Sequence, residues 1–318
     1  MLNVVHLLDD IQELDLSNST LMIANSCERK FFLQWLLKLL ATRPEEFQGA
    51  ALIGLALHAG YETYLNTGSK TQATFAFLQK FPIELVIGKN DRRSLENCIA
   101  TLDKLFETPP YNNYTLATIT DAEGDVHKAT EVGFRCRIEN FSLFDHREVP
   151  VYFRGCIDKI IGDPIRDKSI IGDLKTHTQS DIDAVGKYYW ANQTTGYGIV
   201  WNLFNGRPID TEFDLVYVLA KIHLLHPEVK TQVFRRKQQQ INEWKAWLRR
   251  TLLRIKQNIH DAYFMRNSNS CITFNRRCLF FDQCGHDDEY LYAIKAKNTH
   301  NYFDDITPLI TTPINIGF

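Results

Sequence analysis

Several things are missing from this sequence, and each absence excludes a class. No apolar run approaches the roughly 20 residues that a membrane-spanning helix needs. No repeat or low-complexity tract interrupts the chain, so a solenoid, a fibre and a disordered tail are unsuitable descriptions. Charge of one sign is not in excess: Lys and Arg total 36 against 38 Asp and Glu, a net charge of -2. An overall basic field is therefore lacking, and a nucleic-acid partner would have to be held by a local groove. The opening stretch MLNVVHLLDDIQELDL lacks the basic start and long apolar centre of a secretion signal and is too acidic for a transit peptide, so a cytoplasmic, non-membrane protein is expected. In that compartment the seven cysteines are expected to be reduced thiols or metal ligands, not disulfides.

What is present is ordinary globular composition, 44% hydrophobic and 23% charged over 318 residues, enough for one large domain or two ordinary ones. The pattern over 20–40, TLMIANSCERKFFLQWLLKLL, predicts a short helix and then a longer one, with Asn25 and Ser26 as plausible caps. Residues 49–65 predict a helix on which Gly54, His58 and Glu62 fall four apart on one stripe. Helices with Pro-containing connections follow to about 114. The period then changes to alternation, and 129–140, 149–163 and 168–178 read as three consecutive strands with a tight turn near 162–168. A helix over 184–204, a strand over 211–221 and a long amphipathic helix over 235–264 complete an α/β core with helical additions. The loop-rich tail from about Arg266 holds three of the seven cysteines.

Within the strands, IIGDLKTHT carries Asp173 and Lys175 two positions apart, on one face. A hairpin with the preceding strand brings Asp158 to them. Two carboxylates and a backbone carbonyl make a hard oxygen site suited to Mg2+ or Mn2+, which polarises a phosphodiester and lowers the pKa of a water, while an ammonium beside it can orient that water or meet developing charge. On spacing alone, a surface Asp/Lys pair on an edge strand is the commoner arrangement.

The ordered set GCIDKI, IIGDLKT and QTTGY resembles the PD-(D/E)XK nuclease superfamily, in which an Asp on one strand is followed by D-x-K on the next. More narrowly it is similar to the RecB-like branch, which adds an upstream G-x-x-x-H, here Gly54 to His58, and a downstream Q-x-x-x-Y, here Gln193 to Tyr197. The resemblance spans about 20–285. It implies a restriction-endonuclease-like fold, a mixed central sheet flanked by helices. It also implies a metal site of His58, Asp158, Asp173 and the carbonyl of Leu174, with Lys175 catalytic. Glu131 matches an acidic position ahead of the strands, and Gln193 with Tyr197 would reach a scissile phosphate or flanking base. Taken one at a time, His58 and Tyr197 would more often be packed core residues, and a strand-edge Glu131 is ordinary.

Cys27, Cys271, Cys278 and Cys284 are placed as in cluster-bearing nucleases of the same branch, CRISPR-associated and phage exonucleases among them. There one N-terminal and three C-terminal cysteines hold a [4Fe-4S] cluster; four thiolates hold Zn2+ equally well. The gap between Cys271 and Cys278 is wider than in many such relatives, and no Pro follows Cys27. Cys98, Cys136 and Cys156 are expected as small buried apolar residues. Arg29, Lys30, 235–237, Arg249, Arg250, Arg254, Arg276 and Arg277 could track phosphates, and Phe31, Phe32, Tyr188, Tyr189 and Trp190 could stack on bases or fill the core.

The expectation is one nuclease domain over 1–318: a helical part at 20–125, a catalytic core with its long C-terminal helix at 126–265 and a Cys-containing tail at 266–318. Its expected function is a metal-dependent DNA exonuclease acting at DNA ends or on single strands. The alternatives are a structure-specific endonuclease and a non-catalytic DNA-binding subunit with the same fold.

Overall fold

The structure, a computed structural model, describes residues 8, 11–39, 49–83, 92–108, 115–121, 124–142, 147–163, 168–178, 181–223, 226–273, 276–285, 291 and 308–315. A short strand, β1 (Leu14–Leu16), leads into α1 (Asn18–Ser26). Ser17 starts this helix, its hydroxyl accepting the Thr20 N–H at 3.1 Å. Asn25 and Ser26, expected as caps, instead finish it: their side chains donate back to the carbonyls of Leu21 and Ile23. The expected longer helix is a single turn, α2 (Glu28–Phe31), passing into a π-helical turn over Phe32–Leu36 and stopping at Lys38, whose φ of 54° is left-handed. Residues 40–48 lie outside the described residues.

The helices α3 (Gly49–Thr67), α4 (Lys70–Lys80) and α5 (Leu95–Glu107) follow as expected, α4 and α5 each opened by a serine, Ser69 and Ser94, accepting a backbone N–H. The expected Pro-containing connection at 109–114 lies outside the described residues. A two-residue strand β2 (Thr115–Leu116) and a small hairpin of β3 (Thr118–Thr120) and β4 (Val126–Lys128) precede the three long strands β5 (Thr130–Ser142), β6 (Glu148–Asp163) and β7 (Lys168–His177). The expected tight turn between β6 and β7 falls on 164–167, outside the described residues.

The helix expected over 184–204 is two, α6 (Asp181–Tyr189) and α7 (Asn192–Phe204), broken where Ala191 turns extended. After β8 (Phe213–Lys221) comes β9 (Glu228–Arg236), a strand not expected from the sequence: EVKTQVFRR is a polar sheet edge without the apolar alternation that marks half-buried strands. Because Arg235 and Arg236 finish β9, the long helix α8 starts at Gln238 and runs to His260. Its buried residues Ile241, Trp244, Leu248, Leu252, Ile255 and Ile259 keep the helical spacing that predicted it. The tail adds β10 (Ile272–Thr273), β11 (Arg276–Arg277) and α9 (Phe281–Cys284).

Among the described residues the main sheet has seven strands with a path β1-β6-β7-β8-β9; β5 and β2 pair with the remaining edge of β6. β5, β6 and β7 run antiparallel, while β7 and β8 are parallel, joined by a crossover through α6 and α7. The sheet is therefore mixed, as expected. Its two faces are buried differently. Tyr217, Phe153, Val200, Trp244 and Leu248 belong to one apolar cluster with α1, α7 and α8, whereas Leu174, Val218 and Ala220 pack with Leu57, Phe77 and Leu102 from α3, α4 and α5. The alternation of β7 thus sends Leu174 into the α3 layer and Asp173 and Lys175 the other way. No helix among the described residues is long and apolar enough to cross a membrane.

The α7 layer sits against the sheet only because position 198 has no side chain: a Cβ there would lie 1.9 Å from Phe213 Cε2. Gly198→Ala is accordingly expected to lower the thermal midpoint by several degrees, since overpacking costs about 1–3 kcal/mol. Gly186→Ala, in α6 with nothing within 4 Å of the added carbon, should leave it unchanged or raise it. Equal midpoints for the two variants, read by circular dichroism, would contradict this packing.

Candidate active site

The site lies where the central strand loses a neighbour. On one edge of β6, β1 pairs up to Phe153 and β7 pairs from Lys159 onward, so 154–158 has no strand partner there. The β6–β7 ladder ends at Lys159 and Gly172. Beyond it, the N–H of Leu174 is taken by the Asp158 carboxylate at 3.0 Å, not by a backbone carbonyl. Asp158 sits inside β6, which runs on to Asp163 as the expected strand over 149–163 did.

On β7, Lys175 Nζ stands 2.8 Å from Asp173 Oδ2 and donates to Oδ1 at 3.0 Å. Asp173 is 1% exposed and its Oδ2 has no partner of hydrogen-bonding geometry. This is no surface pair of the kind the spacing alone would suggest. Lys175 also donates to Gln193 Oε1 at 3.5 Å, and the Gln193 amide donates to Tyr197 Oη at 3.0 Å. The Q-x-x-x-Y pair therefore meets the D-x-K pair through the lysine. Tyr197 is at the same time packed in the core, its ring edge-on to Phe134 at 5.4 Å.

From the opposite layer, α3 brings His58. Gly54, one turn earlier, lets the helix approach β7: a Cβ there would be 3.3 Å from Thr176 Oγ1. His58 Nε2 is 2.8 Å from the Leu174 carbonyl, and Nδ1 is 3.4 Å from Asp158 Oδ2. A carbonyl only accepts, so Nε2 carries the proton and, in the neutral ring that burial favours, Nδ1 turns a lone pair toward a carboxylate. Glu131 completes the group. The β5–β6 register, Thr130 to Lys159 and Val132 to Ile157, places it beside Asp158, and its φ of 47° is a left-handed conformation costing about 1–3 kcal/mol at a non-glycine residue. Ligand atoms of His58, Glu131 and Asp158 all lie within 4.8 Å of one another.

Burial and the charge of Asp158 push the Asp173 carboxyl up to about 7, and the same two causes push Glu131 up to about 7. Burial acts against Asp158 too, but His58 in its protonated form, then Lys175 and Lys159, outweigh it and hold that carboxyl below its usual range. Lys175 is desolvated, yet Asp173 and Asp158 raise its pKa. Facing carboxylates and a lone pair directed among them are a site short of positive charge. The imidazole nitrogen and the two carboxylates beside it fit a hard divalent cation. Of the expected ligands the gathered set keeps His58 and Asp158 and gains Glu131, while Asp173 faces Lys175 and the Leu174 carbonyl accepts from His58 Nε2.

Three residues beside the site were not assigned to it from sequence. Glu62, on the stripe of Gly54 and His58, has its carboxyl raised by burial and by Asp158. Lys159 is 2% exposed, with Nζ 4.9 Å from the Tyr61 ring centre. Cys156 corrects an expectation: it is only partly buried and its thiol donates to Glu131 Oε2 at 3.2 Å, because it shares the β6 face of Asp158. Cys98 and Cys136 are in apolar clusters as expected.

The two chain ends also meet. The Arg29 N–H donates to the Met265 carbonyl at 3.0 Å, Asn267 and Ser270 side chains donate to the Ser26 carbonyl, and Cys278 N–H donates to the Cys271 carbonyl at 2.8 Å. Cys27 stands between α1 and α2 at this junction, and its charge, after burial, is among the influences raising the Cys284 thiol. All seven cysteines are free thiols. Of the basic residues named from sequence, Arg29 is buried, and Arg254 bonds Asn25 and the Ala24 carbonyl. Phe31 and Phe32 are core, Phe32 stacked on Phe264.

With this geometry in place, the comparison with known families is decisive: the profile of the PD-(D/E)XK nuclease superfamily matches residues 15–285, and the chain belongs to that superfamily. No curated protein matches it. Its members are nucleases that act on nucleic acid with divalent metals, and the fold and the His58, Glu131 and Asp158 group agree with that.

Glu131→Gln should raise the metal-free thermal midpoint by about 1–2 °C, since it removes a like charge from a cross-strand pair. It should also shrink the rise that added Mn2+ produces in the native protein. An identical Mn2+-induced rise in both proteins would remove Glu131 from the metal site.

Proposed function

We propose that the protein is a metal-dependent DNA exonuclease of the RecB-like branch, hydrolysing phosphodiester bonds at DNA ends or in single strands. The observation that carries this reading is the buried Asp173–Lys175 pair held beside Asp158 at a gap in the sheet, with the helix-borne His58 and the Gln193–Tyr197 pair converging on it. The order of those outer motifs favours the branch, and with it action at ends.

His58, Asp158, Asp173 and the Leu174 carbonyl, with Glu131 alongside, would hold the Mg2+ or Mn2+. When bound, the ion supplies charge neutralisation and a water of lowered pKa. Asp158 fixes the Leu174 peptide, and so the direction of its carbonyl. Asp173 and Gln193 hold the Lys175 ammonium between them, in position to donate to the attacking water or to a phosphate oxygen as charge develops. Tyr197 fixes the Gln193 amide so that its oxygen faces the lysine. Water attacks phosphorus and gives up a proton to solvent, the P–O bond to the leaving nucleotide breaks, and the leaving oxygen takes a proton from solvent.

End-labelled single- and double-stranded DNA and closed circles, each with Mg2+ or Mn2+, test the reading. Stepwise loss from free ends with intact circles is expected. Cut circles would make the protein an endonuclease, and binding without cleavage a DNA-binding subunit. Asp173→Ala or Lys175→Ala should reduce turnover at least a hundredfold with the fold and DNA binding retained, and near-native turnover in either would dismiss the assigned centre. His58→Ala should be milder and shift preference toward Mn2+, the loss of one ligand among several; an unchanged metal dependence would return His58 to a structural role.

For the junction of the chain ends we propose that Cys27, Cys271, Cys278 and Cys284 hold a [4Fe-4S] cluster. The hydrogen bonds that bring the segment 265–270 onto 26–29 support it. The free state of these thiols also suits a reducing, cytoplasmic compartment. Closing so long a loop adds directly to stability. Anaerobically purified protein should be brown, and Cys278→Ala colourless and more protease-sensitive at both ends, with Cys98→Ala little changed. Stoichiometric zinc would replace the cluster with an ion on the same ligands; a metal-free, fully stable Cys278→Ala would dismiss the site.

A further inference from the structure

Next to the lysine, and sharing Lys175 and Gln193 with the proposed hydrolytic centre, lies a cavity of about 530 Å3. It opens between α1, the α6–α7 break and α8, with Lys175 and Gln193 in one wall. The break itself is built from outside: the fully buried Arg236, at the end of β9, donates to the Tyr188 carbonyl at 3.1 Å and to Thr195 Oγ1 at 2.8 Å, bracketing it from both sides. Trp190 is thereby turned out of the helix. It is 62% exposed and touches Tyr189 edge-on.

The lining is unlike a core. Two cations, Lys175 and Lys187, face it with no carboxylate among the described lining residues. The start of α7, at Asn192 and Gln193, has no side-chain cap, so its free N–H groups add positive potential. The same lining includes the indoles of Trp190 and Trp247 and the thioether of Met22. Asn18, in the α1 wall, is 7% exposed, and its Oδ1 has no hydrogen-bond partner. A buried amide oxygen without a donor is costly, and a ligand can supply the donor.

We propose that this cavity receives the nucleotide adjoining the scissile phosphate of a single-stranded DNA end. The phosphate lies toward Lys175, Lys187 and the start of α7, and the base lies against Trp190. The volume is of the size that holds a small ligand. A base can enter it only when unpaired and unstacked, and an indole accepts any base face. The inference rests on the nuclease reading and adds to it a single-strand requirement set by Trp190.

The test measures binding of a fluorescein-labelled oligothymidylate by anisotropy, with Ca2+ in place of Mg2+, and cleavage of the same strand with Mn2+. Trp190→Ala should weaken binding about tenfold, the worth of one stacked base. Abasic residues at both ends of the strand should weaken binding by the native protein to a similar extent and add nothing to the loss in Trp190→Ala. Unchanged binding by Trp190→Ala, or two losses that multiply, would overturn the cavity assignment while native cleavage leaves the nuclease reading standing. A native protein that neither binds nor cleaves the strand would overturn both.

Discussion

The hydrogen bond from the Leu174 N–H to the Asp158 carboxylate is the constraint on which the site depends. A sheet interior normally satisfies each N–H with a backbone carbonyl. Here the β6–β7 ladder stops at Lys159 and Gly172, and an ionised side chain takes the next donor. One contact thus ends the strand pairing, holds the two acidic strands at a fixed separation and leaves Asp173 and Lys175 beside an open edge. It also sets the Leu174 peptide, whose carbonyl receives His58 from the other layer. The proposed catalytic group draws on both faces of the sheet because the sheet is incomplete at that point.

Electrostatics runs in the same direction. Asp158 and the buried Asp173 are crowded together with the more exposed Glu131, and Lys175 and Lys159 offset them only in part, as the raised carboxyls of Asp173 and Glu131 indicate. The left-handed backbone at Glu131 is a local cost at the same place. A protein selected for stability alone would have no use for this arrangement, whereas one that binds a divalent ion recovers the cost on binding.

Much of this was legible in the sequence where a residue's role depends on spacing along one element. The two-residue step from Asp173 to Lys175, the four-residue stripe of Gly54, His58 and Glu62, and the pair of Gln193 and Tyr197 all appear as their periods require. What was not legible depends on the partner strand or layer. Cys156 looked like a core residue because only the β5 register shows that Glu131 stands against its face. β1 is too short to alternate, and β9 is an edge whose outer positions stay polar, so neither shows an apolar period. The α6–α7 break is imposed by Arg236 from β9, forty-odd residues away in sequence, and no local propensity at Trp190 and Ala191 announces it.

On the proposed function, the charge of Asp158, and not merely its hydrogen bond, organises the site around a divalent ion. Asp158→Asn separates the two, because the amide oxygen still accepts the Leu174 N–H while the negative charge is gone. Titration with Mn2+ followed by electron paramagnetic resonance gives the answer directly. The native protein is expected to bind Mn2+ tightly, and Asp158→Asn to lose that site while staying folded, with a metal-free unfolding midpoint no higher than the native one because the neighbouring cations lose a partner. Equal Mn2+ affinity in the two proteins would contradict it.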